Sequence, residues 1–392
     1  MKIVIFGSGM MGRAIAYDLC NFSNFDTITM ADKNQGMLQS AKKTLDNKKI
    51  LFQHIDLEKT KDVPKFLKGF DIAISAVPYK FNYFLAKTAI ETKTHFLDLG
   101  GNNNIVEKER NLFEKAKKNN VTIIPDCGLA PGLTSVITKE IVDQMSSIDY
   151  VKIRVGGLPI DPQPPFNYQT VFSPYGLINE YVEDAIILDH GNIIKKKSMT
   201  ELEIINFPEP FGKLEAFLTS GGCSTLPYTY RNKIKYLDYK TIRYPGHCEQ
   251  FKTLLSLGLA EEKSIKIKGK TVILRDLFAD VLLNNLPKNK KDVVLIKVFS
   301  KGKNENQEDI QIEYTIMDYY DEENNITAMM RTTGYPVSII AQMIEQNIIK
   351  KFGVFCSEEI VPYKPFFKEL EKRKIQIKKR LKNMANSKRL KV

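Results

Sequence analysis

The residue pattern richest in chemistry lies at the N-terminus, in Gly7-Ser8-Gly9-Met10-Met11-Gly12. An apolar run, Ile3 to Phe6, leads into this G-x-G-x-x-G, and a helix-capable stretch follows to Leu19. A second apolar run then closes on Asp32, twenty residues past Gly12. In that context Gly7 permits a tight turn, Gly9 lets the backbone approach a pyrophosphate, and Gly12 allows close helix–strand packing. Ser8, Met10 and Met11 complete the cradle, because backbone N–H groups at a helix start favour negative charge. A carboxylate at the second strand's end accepts bonds from a ribose 2′-OH and repels a 2′-phosphate. Asp32 therefore predicts NAD in preference to NADP, a preference that the adjacent Lys33 softens.

Further carboxylates end other apolar runs. Asp98-Leu99-Gly100-Gly101 and Pro125-Asp126-Cys127-Gly128 each place an acid before glycine. Singly these are ordinary turn chemistry. Two of them at adjacent strand ends, beside the expected nicotinamide position, make Asp98 and Asp126 candidate proton acceptors. Asp56, Ala76-Val77-Pro78, Leu99 and Gly128 fall at the same face and join the expected cofactor lining.

A second polar concentration is Tyr239-Lys240-Thr241-Ile242-Arg243-Tyr244-Pro245-Gly246-His247. A planar guanidinium pairs two-pronged with a carboxylate, so Arg243, with Thr241, is the natural clamp for an amino-acid α-carboxylate. A structural ion pair at a strand end is the plainer alternative. His247 and Lys240 stand behind the two aspartates as proton acceptors, and His247 reads equally as a satisfied structural histidine. Thr219 and Ser220 offer hydroxyls and backbone N–H groups, and Gly100, Tyr168 and Phe172 are further candidate substrate contacts. The four histidines are spread without ligand spacing, so no metal is expected.

These groups need a scaffold. Residues 1–126 alternate strand and helix patterns: strands at Ile50–Ile55, Asp71–Ala76, His95–Leu99 and Val121–Pro125, with helices at Tyr79–Thr92 and Ile105–Asn119. Such alternation predicts an α/β fold, a doubly wound parallel sheet of Rossmann type, binding ligands beyond the strands' carboxyl ends. Residues 127–330 are richer in strands, among them Ile187–Lys195 and Ile234–Ile242, and read as an α+β substrate and dimerisation domain. Residues 331–370 form a helical segment, with Pro336 early in its helix, that is expected to return to the first domain. Residues 371–392 form a basic tail.

Composition sets the class. The 392 residues are 43% hydrophobic and 27% charged, as in ordinary globular chains. No run of about eighteen apolar residues exists to span a membrane, and a cytoplasmic protein is expected. The five cysteines are scattered, which indicates neither disulfides nor zinc; Cys127 and Cys223 can line a pocket without being nucleophiles. The net charge of +12 sits mostly in residues 371–392, with ten Lys/Arg and one acid. A basic tail alone reads as a solvated helix end, so no nucleic-acid partner is expected. Edge strands in the second domain lead us to expect a homo-oligomer.

Several segments together resemble the saccharopine dehydrogenase-like reductases: the Gly7–Gly12 turn, Ala76-Val-Pro-Tyr-Lys-Phe81, Gly128-Leu-Ala-Pro-Gly132, Gly156-Gly-Leu-Pro159, Ser224-Thr-Leu226 and Thr241-Ile-Arg-Tyr-Pro-Gly246. Within that family the chain looks most like the lysine 6-dehydrogenase branch, through Asp98–Gly101, Ile124–Asp126, Leu214–Phe217, Thr219–Gly222 and Tyr239–His247. The resemblance implies NAD-dependent oxidation of the ε-amine of L-lysine to the 6-semialdehyde, which cyclises. Saccharopine reductases carry an arginine for a substrate carboxylate where Gly222 stands, an aspartate at Ala130, and an arginine-rich end of strand two suited to NADP. Losing a buried pairing charge should cost the tricarboxylate saccharopine about 3–5 kcal/mol, which favours lysine. A glutamate-forming saccharopine dehydrogenase is the rival enzyme, and a non-catalytic dinucleotide-sensing scaffold is the rival outside enzymes.

Overall fold

The apolar run at the start is the middle of a parallel sheet. β1 (Lys2–Phe6) is flanked on one side by β2 (Thr27–Asp32) and β3 (Ile50–His54). On the other side lie β4 (Ile72–Ser75), β5 (His95–Asp98) and β6 (Thr122–Ile124). The chain leaves β1 toward β2 and later returns to its other side at β4, which makes a topological switch point directly above β1, where ligands bind in this fold. Ile3, Val4, Ile5 and Phe6 are fully buried, as in a sheet covered by helices on both faces. A seventh strand, Gly353–Val354, joins beside β6 from far along the chain; the sequence pattern did not announce so short a piece.

The structure is a computed structural model that describes residues 1–45, 47–287 and 291–384. They divide into two compact units. The first comprises Met1–Glu140, Ser224–Leu226 and Met330–Ile375, and the second Ile141–Cys223, Pro227–Met329 and the chain from Gln376 onward.

The second unit is built on a mixed sheet. Its middle is the pair Ser147–Pro159 and Ile234–Arg243, which run parallel, and its other neighbours pair antiparallel. The expected single strand Ile187–Lys195 is a hairpin, Ala185–Asp189 and Asn192–Lys196. His190 (φ 48°) and Gly191 (φ 76°) turn it, the left-handed pair a two-residue hairpin loop requires. The expected helix Ile105–Asn119 is two helices, Asn103–Arg110 and Phe113–Lys118. Pro336 lies well inside the helix Ala328–Glu345 and not near its start. That helix begins earlier than its apolar pattern because Asp292 accepts bonds from the N–H groups of Ala328 and Met329, at 2.6 and 2.9 Å. The basic tail opens as the end of a helix and continues as a strand, Lys378–Asn383, along the sheet's edge; its last part, residues 385–392, lies outside the described residues. Among the described residues no helix is long and apolar enough to cross a membrane.

Candidate functional site

In the first unit the glycine turn has the geometry its spacing predicts. Gly7 takes φ +104°, and a Cβ there would sit 2.6 Å from the Ala76 carbonyl. A Cβ on Gly12 would lie 1.9 Å from the Gly7 carbonyl, so helix Met10–Phe22 can close on β1 only without one. A Cβ on Gly9, the helix's N-cap, would meet nothing within 4 Å. Open space faces unpaired N–H groups there, which is what a pyrophosphate needs. The turn borders a cavity of about 260 Å³. Gly7, Gly9, Asp32, Lys33, Asp56 and the Ala76–Pro78 segment line it, together with Glu58 and Lys80, which the sequence reading missed. Ser8, Met10, Met11 and Gly12 form the turn itself. Leu99 and Gly128 are not part of that lining; a Cβ on Gly128 would lie 3.5 Å from the Leu99 carbonyl, so those two stand together at the ends of β5 and β6.

Asp32 is committed locally. Its Oδ2 accepts from the N–H and hydroxyl of Ser8, at 2.7 and 2.8 Å, and its Oδ1 accepts from the N–H of Asn34 at 2.9 Å. Lys33 and Lys80, both well exposed, flank the same cavity and share Glu58 at 3.3 and 3.9 Å.

Beyond β5 and β6 lies a buried acid cluster. Asp98 is fully buried and Asp126 is 3% exposed. Asp98 Oδ1 accepts from the N–H groups of Gly100 and Asp126, while its Oδ2 has no donor among the described residues. Asp126 sits at φ 60°, a left-handed conformation rare outside glycine, and accepts from the Ser224 hydroxyl. Gly100, expected among the substrate contacts, packs on this aspartate: a Cβ there would be 1.9 Å from its Oδ1. The sequence reading missed Glu109, fully buried on the helix Asn103–Arg110, whose two carboxyl oxygens also lack donors. The only signal was its i,i+3 spacing from the buried Val106. Burial raises all three carboxyls: Asp98 to about 6, Asp126 to about 8 with the help of Asp98's charge, and Glu109 well above its usual range. Carboxyls held near neutrality are suited to accepting a proton and giving it back.

The second unit holds the guanidinium site. Tyr239, Thr241 and Arg243 alternate onto one face of the strand Ile234–Arg243. Arg243 is 3% exposed; its Nε donates to the Tyr181 hydroxyl at 2.9 Å and its Nη1 to the Ile242 carbonyl at 2.8 Å. Its plane lies 4.8 Å from the ring centre of Tyr168 and 5.8 Å from that of Tyr181. Among the described residues Nη2 has no partner and no carboxylate pairs with this arginine. The Thr219 and Thr241 hydroxyls bond each other at 2.9 Å, and Ser220 donates to backbone carbonyls of the helix Pro174–Val182. Phe172 packs against Gly176 and not against the guanidinium.

Two expected proton acceptors, Lys240 and His247, have their nitrogens engaged within the fold. Lys240 points to the strand's other face, where its Nζ donates to Glu203 at 2.9 Å beside the Arg154–Asp238 ion pair. The strand's two-residue period, visible in the sequence, separates it from Arg243. His247 is buried with both nitrogens occupied. The Phe166 carbonyl can only accept, so Nδ1 donates to it at 3.1 Å, and Nε2 accepts from the Tyr181 hydroxyl at 3.0 Å. Burial and the Arg243 charge push the ring down to about 3. His247 thus orients Tyr181, which orients Arg243. The buried thiols of Cys127 and Cys223 are pushed well up by desolvation and are poor nucleophiles.

A Rossmann cradle in one unit and a buried, unanswered guanidinium in the other define a dinucleotide-binding α/β class with a mixed-sheet second unit. Residues 3–124 match the saccharopine dehydrogenase NADP binding domain and residues 128–375 the saccharopine dehydrogenase C-terminal domain. The chain belongs to the saccharopine dehydrogenase family. It is 22% identical over 325 residues to the NADP(+)-dependent, L-glutamate-forming saccharopine dehydrogenase of Saccharomyces cerevisiae, covering 79% of this chain and 69% of that one. It is also 22% identical over 281 residues to the mitochondrial alpha-aminoadipic semialdehyde synthase of Rattus norvegicus, 67% of this chain but only 29% of that protein's length. The fold matches an apo saccharopine dehydrogenase (L-Glu forming) from Saccharomyces cerevisiae, with a TM-score of 0.79 at 19% identity over 97% and 99% of the two chains. It also matches a homospermidine synthase from Legionella pneumophila in complex with NAD, with a TM-score of 0.65 at 15% identity over 97% and 91%.

The expected preference for NAD is overturned by these matches, because the matching domain is NADP-binding and the yeast relative uses NADP. The expectation rested on the residue type of Asp32, but three bonds from Ser8 and Asn34 already occupy its oxygens, and Lys33 and Lys80 line the same cavity, where both approach Glu58.

Proposed function

We propose that this chain is an NADP-dependent dehydrogenase that oxidises a carbon–nitrogen bond of an amino acid, with the ε-amine of L-lysine as substrate. One observation carries the reading: a buried guanidinium with free donors and no carboxylate partner among the described residues. Such a charge is costly to bury unanswered, and an amino acid's α-carboxylate answers it two-pronged. Gly222 supports a substrate with one carboxylate over one with three. A Cβ there would lie 2.3 Å from the Tyr239 ring, which leaves no room for the arginine saccharopine reductases carry at this place. The Gly7–Gly12 turn, Lys33 and Lys80 would hold the dinucleotide, which when bound supplies the hydride acceptor. An ε-ammonium must lose a proton before oxidation, which calls for a carboxyl whose value lies near neutrality, as burial makes those of Asp98 and Asp126. Hydrolysis of the resulting imine releases ammonia and the 6-semialdehyde.

The L-glutamate-forming saccharopine dehydrogenase reaction is the second reading, favoured by the yeast relative's activity. Following NADPH absorbance with each substrate decides between them. We expect lysine to reduce NADP with a kcat/KM at least tenfold above that of saccharopine; the reverse order would establish the second reading.

A further inference from the structure

Three strands of the parallel sheet send charged residues into the cavity beside the glycine turn. Lys33 follows β2, Glu58 follows β3 and Lys80 follows β4, and all three line the cavity. Lys33 Nζ donates to Glu58 Oε1 at 3.3 Å, and Lys80 Nζ lies 3.9 Å from the same oxygen. Glu58 Oε2 has no partner among the described residues. The other two carboxylates in the lining are tied to backbone. Asp32 holds the N–H groups of Ser8 and Asn34, and Asp56 Oδ1 accepts from the N–H of Glu58 at 3.1 Å, which fixes the turn that carries it. Glu58 alone of the three is answered only by side-chain cations. The ribose of a dinucleotide lies by the end of β2 in this fold, beside Lys33. A 2′-phosphate there calls for cations. The lining supplies Lys33 and Lys80, and both are already turned to Glu58. All three side chains are more than half exposed, so each lysine–glutamate contact is worth a factor of at most about five. A phosphate, with more charge and three acceptor oxygens, wins the same lysines from one carboxylate. Its advantage is reduced, because the displaced Glu58 remains beside it as a like charge.

We propose that Glu58 sets the margin by which this chain prefers NADP to NAD, by competing with the 2′-phosphate for Lys33 and Lys80. The inference rests on the reading of the chain as NADP-binding. It adds a specificity-determining residue that lies outside the glycine turn and carries no motif.

Fluorescence titration of the full chain with NADPH and with NADH tests it. Glu58→Gln, nearly isosteric, should bind NADPH about five- to twentyfold more tightly than the wild type, the scale of two exposed charge pairs, and should leave NADH within about threefold. The gain should shrink at high salt, because exposed charges are screened. Glu114→Gln removes a surface acid outside the cavity lining and should change neither affinity. A ratio of NADPH to NADH affinity that is unchanged in Glu58→Gln, or raised equally by Glu114→Gln, overturns the inference. The underlying reading has its own arm. Lys33→Gln combined with Lys80→Gln should bring that ratio down toward one. If the double variant keeps the wild-type ratio, the 2′-phosphate is held elsewhere and the site itself is wrong, whatever Glu58 does.

Discussion

Arg154 and Arg243 lie on neighbouring strands, are both buried, and differ in what answers their charge. Arg154 grips Asp238 two-pronged at 2.8 and 3.0 Å, whereas Arg243 has only a phenol and a carbonyl. Arg154→Met should therefore leave Asp238 buried and unpaired and destabilise the protein by about 3–5 kcal/mol in urea unfolding. Its Michaelis constant for the amino acid should hold. Arg243→Met should do the opposite, with stability roughly kept and the Michaelis constant raised more than tenfold; matching effects from the two variants would refute the distinction. The aspartates give a pH signature. Oxidation needs an ionised proton acceptor, and Asp98 and Asp126 are raised to about 6 and 8. The rate at low substrate should climb between pH 6 and 8, and Asp126→Asn should abolish the upper part of that climb; a flat wild-type profile would remove these acids from the reaction. At this scale the sequence singled out Asp98, Asp126 and Arg243, because each stands at or just past a strand end in recognisable turn chemistry. It hid Glu109, which sits in a helix where an acid ordinarily faces water, and it misjudged Asp32, whose type says nothing of the Ser8 and Asn34 donors that occupy it.

Among the elements, the strand–turn–helix at the N-terminus was readable because each of its glycines answers a separate steric demand. Those demands can be tested apart. Gly9→Ala adds a Cβ into open space at φ −70°, so the fold and thermal midpoint should hold while NADPH affinity drops at least tenfold. Gly12→Ala drives a Cβ to 1.9 Å from the Gly7 carbonyl, so helix and strand must part, and both affinity and thermal midpoint should fall. Fluorescence titration with NADPH beside a melting curve separates the two, and equal melting losses would contradict the geometry. Where the elements escaped prediction, the cause was local. One residue pair, His190-Gly191, folds an apolar run back on itself, and a distant aspartate, Asp292, starts a helix before its apolar stripe begins. Lys240 was grouped with Arg243 by proximity in sequence, although the strand's period sends neighbours to opposite faces.

For the whole chain, the buried titratable groups set limits on the pH range in which it stays folded. Asp98 and Asp126 have folded values of about 6 and 8 against ordinary values of 3.8, so folding favours their protonated forms. The stability they contribute is complete below about pH 4 and is lost as the pH rises through 6 to 8. Glu180 and Asp292, raised to about 7 and 6, act in the same direction from the second unit. His247 acts oppositely: its folded value of about 3 lies below its ordinary 6.5, so its contribution is present above pH 6.5 and is lost as the pH falls toward 3. Thermal midpoints should therefore decline between pH 6 and 8 as well as below pH 6, in contrast to a protein whose carboxylates are mainly ion-paired, which gains stability over the acidic range. Asp126→Asn removes a strongly raised carboxyl and should flatten the alkaline decline, with the variant melting above the wild type at pH 8. A wild-type midpoint that rises steadily from pH 6 to 8 would show that these carboxyls are already ionised inside the fold, and the proton-accepting role given to them would go with that result.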